Sequence, residues 1–76
     1  MFEEVRDRLA DELDLDRKSV ERGTDLRKEY DLSSLEYLGA LLSLESLLDE
    51  DEVLNTEPLL PLRTVGEIAD YMERIV

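Results

Sequence analysis

Apolar residues recur at steps of three and four in three separate stretches of the chain, the spacing that places side chains on one face of an α-helix. The first stretch predicts an amphipathic helix over roughly residues 2–14, the second a helix from about Ser34 to Leu48, and the third a last helix over about 65–75. The apolar positions are Phe2, Val5, Leu9 and Leu13, then Leu35, Leu38, Leu41, Leu42, Leu44, Leu47 and Leu48, and finally Val65, Ile68, Met72 and Ile75.

Two of these helices carry a start signal. Ser33 is followed three residues later by Glu36, which is the S-x-x-E capping box, and Thr64 and Glu67 form the equivalent T-x-x-E box. The boxes predict helix starts at Ser33 and Thr64, with Ser33 as N-cap and Ser34 as the first helical residue. Ser34 is therefore expected at the positive end of a helix dipole, where an anion attached to its hydroxyl would be favoured.

The intervening segments predict a long connection and a short helix. Residues 15–32 read as a connection that breaks at Gly23 and has Leu15, Val20, Leu26 and Leu32 as apolar anchors. Thr56-Glu57-Pro58 is a helix-start signal with Thr56 as N-cap, and Pro61 ends the segment, so a short helix or 3₁₀ turn is expected over 57–62. This short segment is expected to pack against the bundle through its leucines, Leu59, Leu60 and Leu62.

The predicted fold is therefore all-α, a small four-helix bundle in a single domain over 1–76, with a long loop between helices 1 and 2 and a short third helix. Three other amphipathic segments are available to cover the wide leucine stripe, so a monomer is favoured over a helix-mediated oligomer. Gly39, inside the second helix, either permits close approach of a neighbouring helix or partner or is a tolerated defect. The expected core is Phe2, Val5, Leu9, Leu13, Leu26, Leu38, Leu41, Leu44, Val65, Ile68 and Met72.

Charge narrows the classes of partner. The net charge is −12, and residues 29–62 contain nine acids and no lysine or arginine. Such a surface repels nucleic acid and favours partners with basic patches, although it could simply be a solvated face that maintains solubility. The run Asp49-Glu50-Asp51-Glu52 is expected in the loop after the second helix, and it does not have the spacing of a calcium loop.

Composition removes several kinds of chemistry. The chain has no cysteine and no histidine, so disulfides, thiolate metal sites and the commonest general base are excluded. The sequence has no apolar run long enough to span a membrane, and its acidic N-terminus is unlike a signal or transit peptide. A soluble, cytoplasmic protein is expected.

The motifs in this order resemble those of acyl carrier proteins, which carry a D-S-L motif at the start of their second helix. Ser33-Ser34-Leu35 matches that motif, and the string from Thr64 to Tyr71 closely resembles the family's final helix. The resemblance covers nearly the whole chain. It implies that Ser34 carries covalent 4'-phosphopantetheine, so that the protein is a phosphoprotein, and that Leu35, Glu36, Leu42 and Glu45 contact partner enzymes.

The implied activity is carriage rather than catalysis. A phosphopantetheinyl transferase would modify Ser34, and the new thiol would hold an acyl or aminoacyl group as a thioester. Acyl-loading and acyl-transferring enzymes with basic docking patches would then act on that cargo in fatty-acid biosynthesis, polyketide biosynthesis or another specialised pathway. The protein itself would not be an enzyme.

The chain departs from the family pattern at several positions. Ser33 replaces the aspartate before the modified serine, and Asp31 stands where a glycine is usual, although aspartate tolerates a left-handed backbone. Gly39 and Ser46 fall where many fatty-acid carriers have glutamates, and two extra residues separate the second and last helices. These departures favour a specialised pathway over housekeeping fatty-acid synthesis.

Two other functions stay open from the sequence. The same fold, left unmodified, could be an acidic binding module for a basic partner protein. A hydrolase that uses Ser34 as nucleophile is the weakest hypothesis, because such a serine normally needs an adjacent base and the nearest amine in sequence is the loop residue Lys28.

Overall fold

Four α-helices and three 3₁₀ turns make up the protein in a computed structural model, which describes residues 1–75. The prediction of an all-α fold is confirmed, since no strand occurs in that range. The helices are α1 (Phe2–Leu13), α2 (Leu26–Glu29), α3 (Ser34–Ser43) and α4 (Val65–Ile75), and the 3₁₀ turns are Arg17–Ser19, Leu44–Leu47 and Glu57–Leu59.

The predicted first and last helices are confirmed almost to the residue, whereas the second is shorter than expected. Helix α1 ends at Leu13 because Asp14 adopts a left-handed conformation with φ of 57°. Helix α3 ends at Ser43 rather than Leu48, and the chain tightens into the 3₁₀ turn. The hydroxyl of Ser43 donates to the carbonyl of Ala40, and serines that bond to the preceding turn compete with regular helix geometry.

The connection between α1 and α3 has more structure than the sequence predicted. The side chains of Asp16 and Asp25 each accept a hydrogen bond from a backbone N–H two or three residues later, and thereby start the first 3₁₀ turn and α2. Segments this short bury too few residues to leave a periodic signal. The sequence predicted four helices, three long ones and a short one after the second. The structure also has four α-helices, but the short one is α2, which lies before α3.

The short helix or 3₁₀ turn predicted over 57–62 is a 3₁₀ turn, and it is shorter than expected, over Glu57–Leu59. Thr56 precedes it but makes no side-chain cap; the Asn55 side chain instead accepts from the N–H of Glu57 at 3.1 Å. Leu59 docks the turn in the core, whereas Leu60 is exposed. The acidic run 49–52 lies in the turns before it, as expected.

The core forms where α1 packs against α3 and α4. Most of its predicted members are buried, but Phe2, Leu13 and Leu38 are only half-buried. Tyr37 is buried in place of Leu38, so the inward face of α3 is Tyr37, Ala40 and Leu41, and Leu44 continues it in the 3₁₀ turn. Leucines surround this helix, so hydrophobicity alone does not fix its rotation. With Tyr37 on the inward face, its hydroxyl donates a hydrogen bond to the carbonyl of Leu62 at 3.4 Å.

The connection also packs against the start of α4. The N–H of Val65 donates to the carbonyl of Thr24 at 2.9 Å, and the N–H of Gly66 donates to the carbonyl of Arg22 at 2.8 Å. The Arg22 guanidinium reaches Asp70 on α4 at 2.7 Å. Two backbone N–H groups that a helix start leaves without partners are thereby satisfied, and the connection is held on the bundle.

None of the helices in residues 1–75 has the length and hydropathy of a membrane-spanning segment.

Candidate functional site

The start of α3 is built by the capping box that the sequence predicted. The Ser33 hydroxyl accepts from the N–H of Glu36 at 3.1 Å, and a Glu36 carboxylate oxygen accepts from the N–H of Ser33, also at 3.1 Å. Asp31 adopts φ of 50° in the turn before it, so the predicted left-handed position is confirmed. These local bonds fix where the helix begins and which serine caps it.

Ser34 is the first residue of α3 and is exposed. Ser33 already serves as the cap, and the Ser34 hydroxyl makes no hydrogen bond to any other residue of 1–75. The hydroxyl is therefore accessible at the positive end of a ten-residue helix, where the backbone dipole favours a negatively charged substituent.

Glu36 is the acidic residue in the first turn of α3. The hydrogen bond from the backbone N–H of Ser33, followed by that of the Ser33 hydroxyl, lowers the pKa of Glu36. Glu36 is consequently ionised near neutral pH, and its charge stays exposed beside Ser34. Any partner that approaches Ser34 meets this negative charge.

The outer face of α3 carries an apolar stripe made of Leu35, Leu38 and Leu42. Leu35 is 79% exposed and Leu42 is 47% exposed, while Leu38, one turn from each, is half-buried. The stripe runs roughly 10 Å along the helix from Leu35 to Leu42. Glu45 is exposed on the 3₁₀ turn that follows. The five predicted site residues thus lie on accessible positions of one element and its continuation.

A groove beside this element was not predicted. It separates the end of α1 from the first two turns of α3, has a volume of about 330 Å³ and is open to solvent. Its lining comprises Glu12, Leu13, Asp14, Leu32, Leu35, Glu36, Gly39 and Ala40. The signal in the sequence that points to it is Gly39, which lies one turn beyond Leu35 and leaves a gap on that side of the helix.

The other titratable and ligating groups give no second site near Ser34. Burial raises the pKa of Tyr37, and the guanidinium of Arg27, 4.7 Å from the ring centroid, opposes that shift. No hydrogen bond joins Ser34 to a basic side chain within the range the structure describes, and Lys28 is exposed. In the same range, no three side chains of metal-binding type are grouped together.

Comparison with protein-family models, with curated proteins and with solved structures finds no match for this chain.

Proposed function

We propose that this chain is an acyl carrier protein that bears 4'-phosphopantetheine on Ser34. The observation that carries the proposal is the division of labour at the start of α3, where Ser33 caps the helix and leaves Ser34 exposed without a hydrogen-bond partner among residues 1–75. A serine needed only as a cap would not require a second serine beside it. In this proposal the protein is a cytoplasmic monomer of acyl-carrier fold.

The residues at the start of α3 fit the group. The Ser34 hydroxyl is accessible for esterification, and the N-terminal N–H groups of α3 favour the charge of a phosphodiester. When bound, the group supplies a thiol that holds an acyl or aminoacyl cargo as a thioester. Ser34 anchors it, and the apolar stripe and Glu36 present a docking face beside the anchor.

Partner enzymes would recognise the chain through apolar contact and charge. Leu35 and Leu42 offer apolar surface, and Glu36 and Glu45 meet basic residues of the transferase and of the enzymes that load and unload the cargo. The departures from the family pattern favour a dedicated polyketide, aminoacyl or similar pathway. The chain supplies no reaction chemistry of its own in this scheme.

The alternative function is an unmodified acidic module that docks a basic protein. The segment after the 3₁₀ turn Leu44–Leu47 favours it, because Val53 is 84% exposed and directly follows the four exposed acids of the run 49–52, which gives an apolar and charged surface that does not include Ser34. This function predicts that partner binding is indifferent to Ser34→Ala.

The deciding experiment is the intact mass of the protein after incubation with coenzyme A and a broad-specificity phosphopantetheinyl transferase. The wild type and a control variant, Ser19→Ala, should each gain one phosphopantetheine, and Ser34→Ala should gain none. Ser19 is also an exposed serine on a short helical turn, so it controls for modification of any accessible hydroxyl. A folded wild type that no transferase of a broad panel modifies would overturn the proposal and leave the binding module.

A further inference from the structure

The groove between α1 and α3 has an apolar floor and an acidic rim. Leu13, Leu32, Leu35 and Ala40 supply the apolar lining, and Glu12, Asp14 and Glu36 stand around it without a lysine or arginine in the lining. Its volume of about 330 Å³ is at the lower end of the range for small-ligand pockets, so it has room for one apolar side chain together with parts of the residues that flank it. It is therefore shaped for an apolar anchor with positive neighbours.

Gly39 keeps this groove open. A β-carbon placed on Gly39 meets no atom within 4 Å, so of the alternatives for this glycine, close approach of a partner or a tolerated defect stay open, and close approach of a neighbouring helix does not. The space beside it belongs to the groove, so a side chain that begins with this β-carbon would take up groove volume.

The rim carries charge that the protein only partly neutralises. Glu12 pairs with Arg8 at 3.6 Å, whereas neither Asp14 nor Glu36 forms an ion pair among residues 1–75. Exposed carboxylates around an apolar floor attract lysine or arginine and disfavour an acidic ligand. A second copy of the chain, at a net charge of −12, is repelled.

We propose that this groove receives a leucine-sized apolar side chain of a partner protein, flanked by arginines or lysines that meet Glu12, Asp14 and Glu36. The inference rests on the proposed function for its biological setting, since Leu35 borders both the groove and Ser34. It extends the docking face from α3 to the end of α1 and makes Gly39 the residue that determines which side chain is accepted.

The probe is a synthetic amphipathic peptide with one leucine flanked by arginines, titrated into unmodified protein by calorimetry and followed by amide NMR shifts. The wild type should bind saturably, with shifts at Leu13, Leu35 and Gly39. A Gly39→Leu variant should bind roughly tenfold or more weakly, because its own side chain occupies the anchor's place. Gly23→Leu is the matched control, since Gly23 also has open space around it but lies outside the groove.

Two double variants distinguish binding in the groove from general electrostatic attraction between the basic peptide and the acidic protein. The double variant Glu12→Gln with Asp14→Asn and the double variant Glu52→Gln with Asp51→Asn each raise the net charge of −12 by two. Only the first should weaken binding of the peptide and flatten its salt dependence. Equal effects of both pairs would reduce the interaction to non-specific charge and overturn the proposal.

The remaining outcomes are equally decisive. Absence of saturable binding to the wild type, or unchanged affinity in Gly39→Leu, refutes the groove as a docking site. Peptides with serine for leucine or glutamates for arginines should fail, and tight binding of either would contradict the stated chemistry. Because the unmodified protein is used, failure here leaves the mass test on Ser34 unaffected, and failure of that test leaves this one valid.

Discussion

Replacing Gly66 by alanine should destabilise the protein although it improves the helix propensity of α4. A β-carbon at Gly66 would lie 2.9 Å from the carbonyl oxygen of Arg22 and 3.1 Å from its β-carbon. The first of these neighbours is backbone, so rotation of a side chain cannot relieve the contact. The connection must move away from the start of α4.

The magnitude follows from what that movement breaks. The N–H of Gly66 donates to the same carbonyl at 2.8 Å, and the adjacent bond from Val65 to Thr24 depends on the same packing. An N–H left without a partner costs about 1–3 kcal/mol, and the gain from replacing glycine in a helix is at most about 1 kcal/mol. With the cost taken at the middle of its range, about 2 kcal/mol, a net loss of about 1–2 kcal/mol remains, which corresponds to a Tm lower by roughly 5–15 °C for a domain of this size.

Thermal unfolding followed by circular dichroism measures this directly, with Gly39→Ala as the matched control. Gly39 also lies inside a helix, but no atom lies within 4 Å of its added β-carbon. The Gly39→Ala variant should therefore be more stable than the wild type by up to about 1 kcal/mol, and its Tm should be higher. A Gly66→Ala protein as stable as the wild type would refute the close packing of the connection on α4.

Three further variants test the local interactions. Ser33→Ala should destabilise the protein by about 0.5–2 kcal/mol through loss of the cap, measured by urea unfolding, whereas an unchanged midpoint would contradict the capping box. Hydrogen bonds from backbone N–H groups lower the pKa of Glu36 and Glu67 in the folded protein. The stability that they contribute should be fully present above the ordinary pKa of 4.5 and should be lost as the pH falls through the lowered pKa of the folded state. Acid unfolding should show a smaller loss of stability with falling pH in Glu67→Gln than in the wild type. Burial raises the pKa of Tyr37 above 10.0, so ultraviolet titration of the folded protein should show one phenol ionising late, and Tyr37→Phe should remove it.

The helix starts could be predicted from the sequence because their signals are local. A capping box consists of residues three positions apart, and the bonds of both boxes form as expected, including donation from the N–H of Glu67 to the Thr64 hydroxyl at 3.2 Å. The end of α3 was harder, because no glycine or proline stops the helix and the leucine pattern continues past Ser43. The hydrogen bond from the Ser43 hydroxyl to the carbonyl of Ala40 is not visible in the spacing of apolar residues.

The inward face of α3 and the groove depend on contacts between distant segments. Tyr37 rather than Leu38 enters the core because its ring and hydroxyl find partners on other elements, and periodicity cannot weigh those partners. The groove needs α1 to end at Leu13, with Asp14 beside α3, and only the packing of the two helices defines that arrangement. Ser34, by contrast, was located by its position next to the cap, but its modification stays a prediction.

Gly39 and Gly66 show how similar positions in a sequence acquire different roles. Gly66 lets the backbone of Arg22 approach the start of α4 closely. The low helix propensity of glycine is offset there by packing and by the two backbone hydrogen bonds that join the connection to α4. Within residues 1–75 no atom of another segment lies within 4 Å of a β-carbon at Gly39, so no close packing there offsets a cost of up to about 1 kcal/mol. If the groove is a docking site, Gly39→Ala should increase stability and weaken peptide binding together, the usual trade between stability and function. If the variant gains stability and binds the peptide as well as the wild type, Gly39 is only a tolerated defect of the helix.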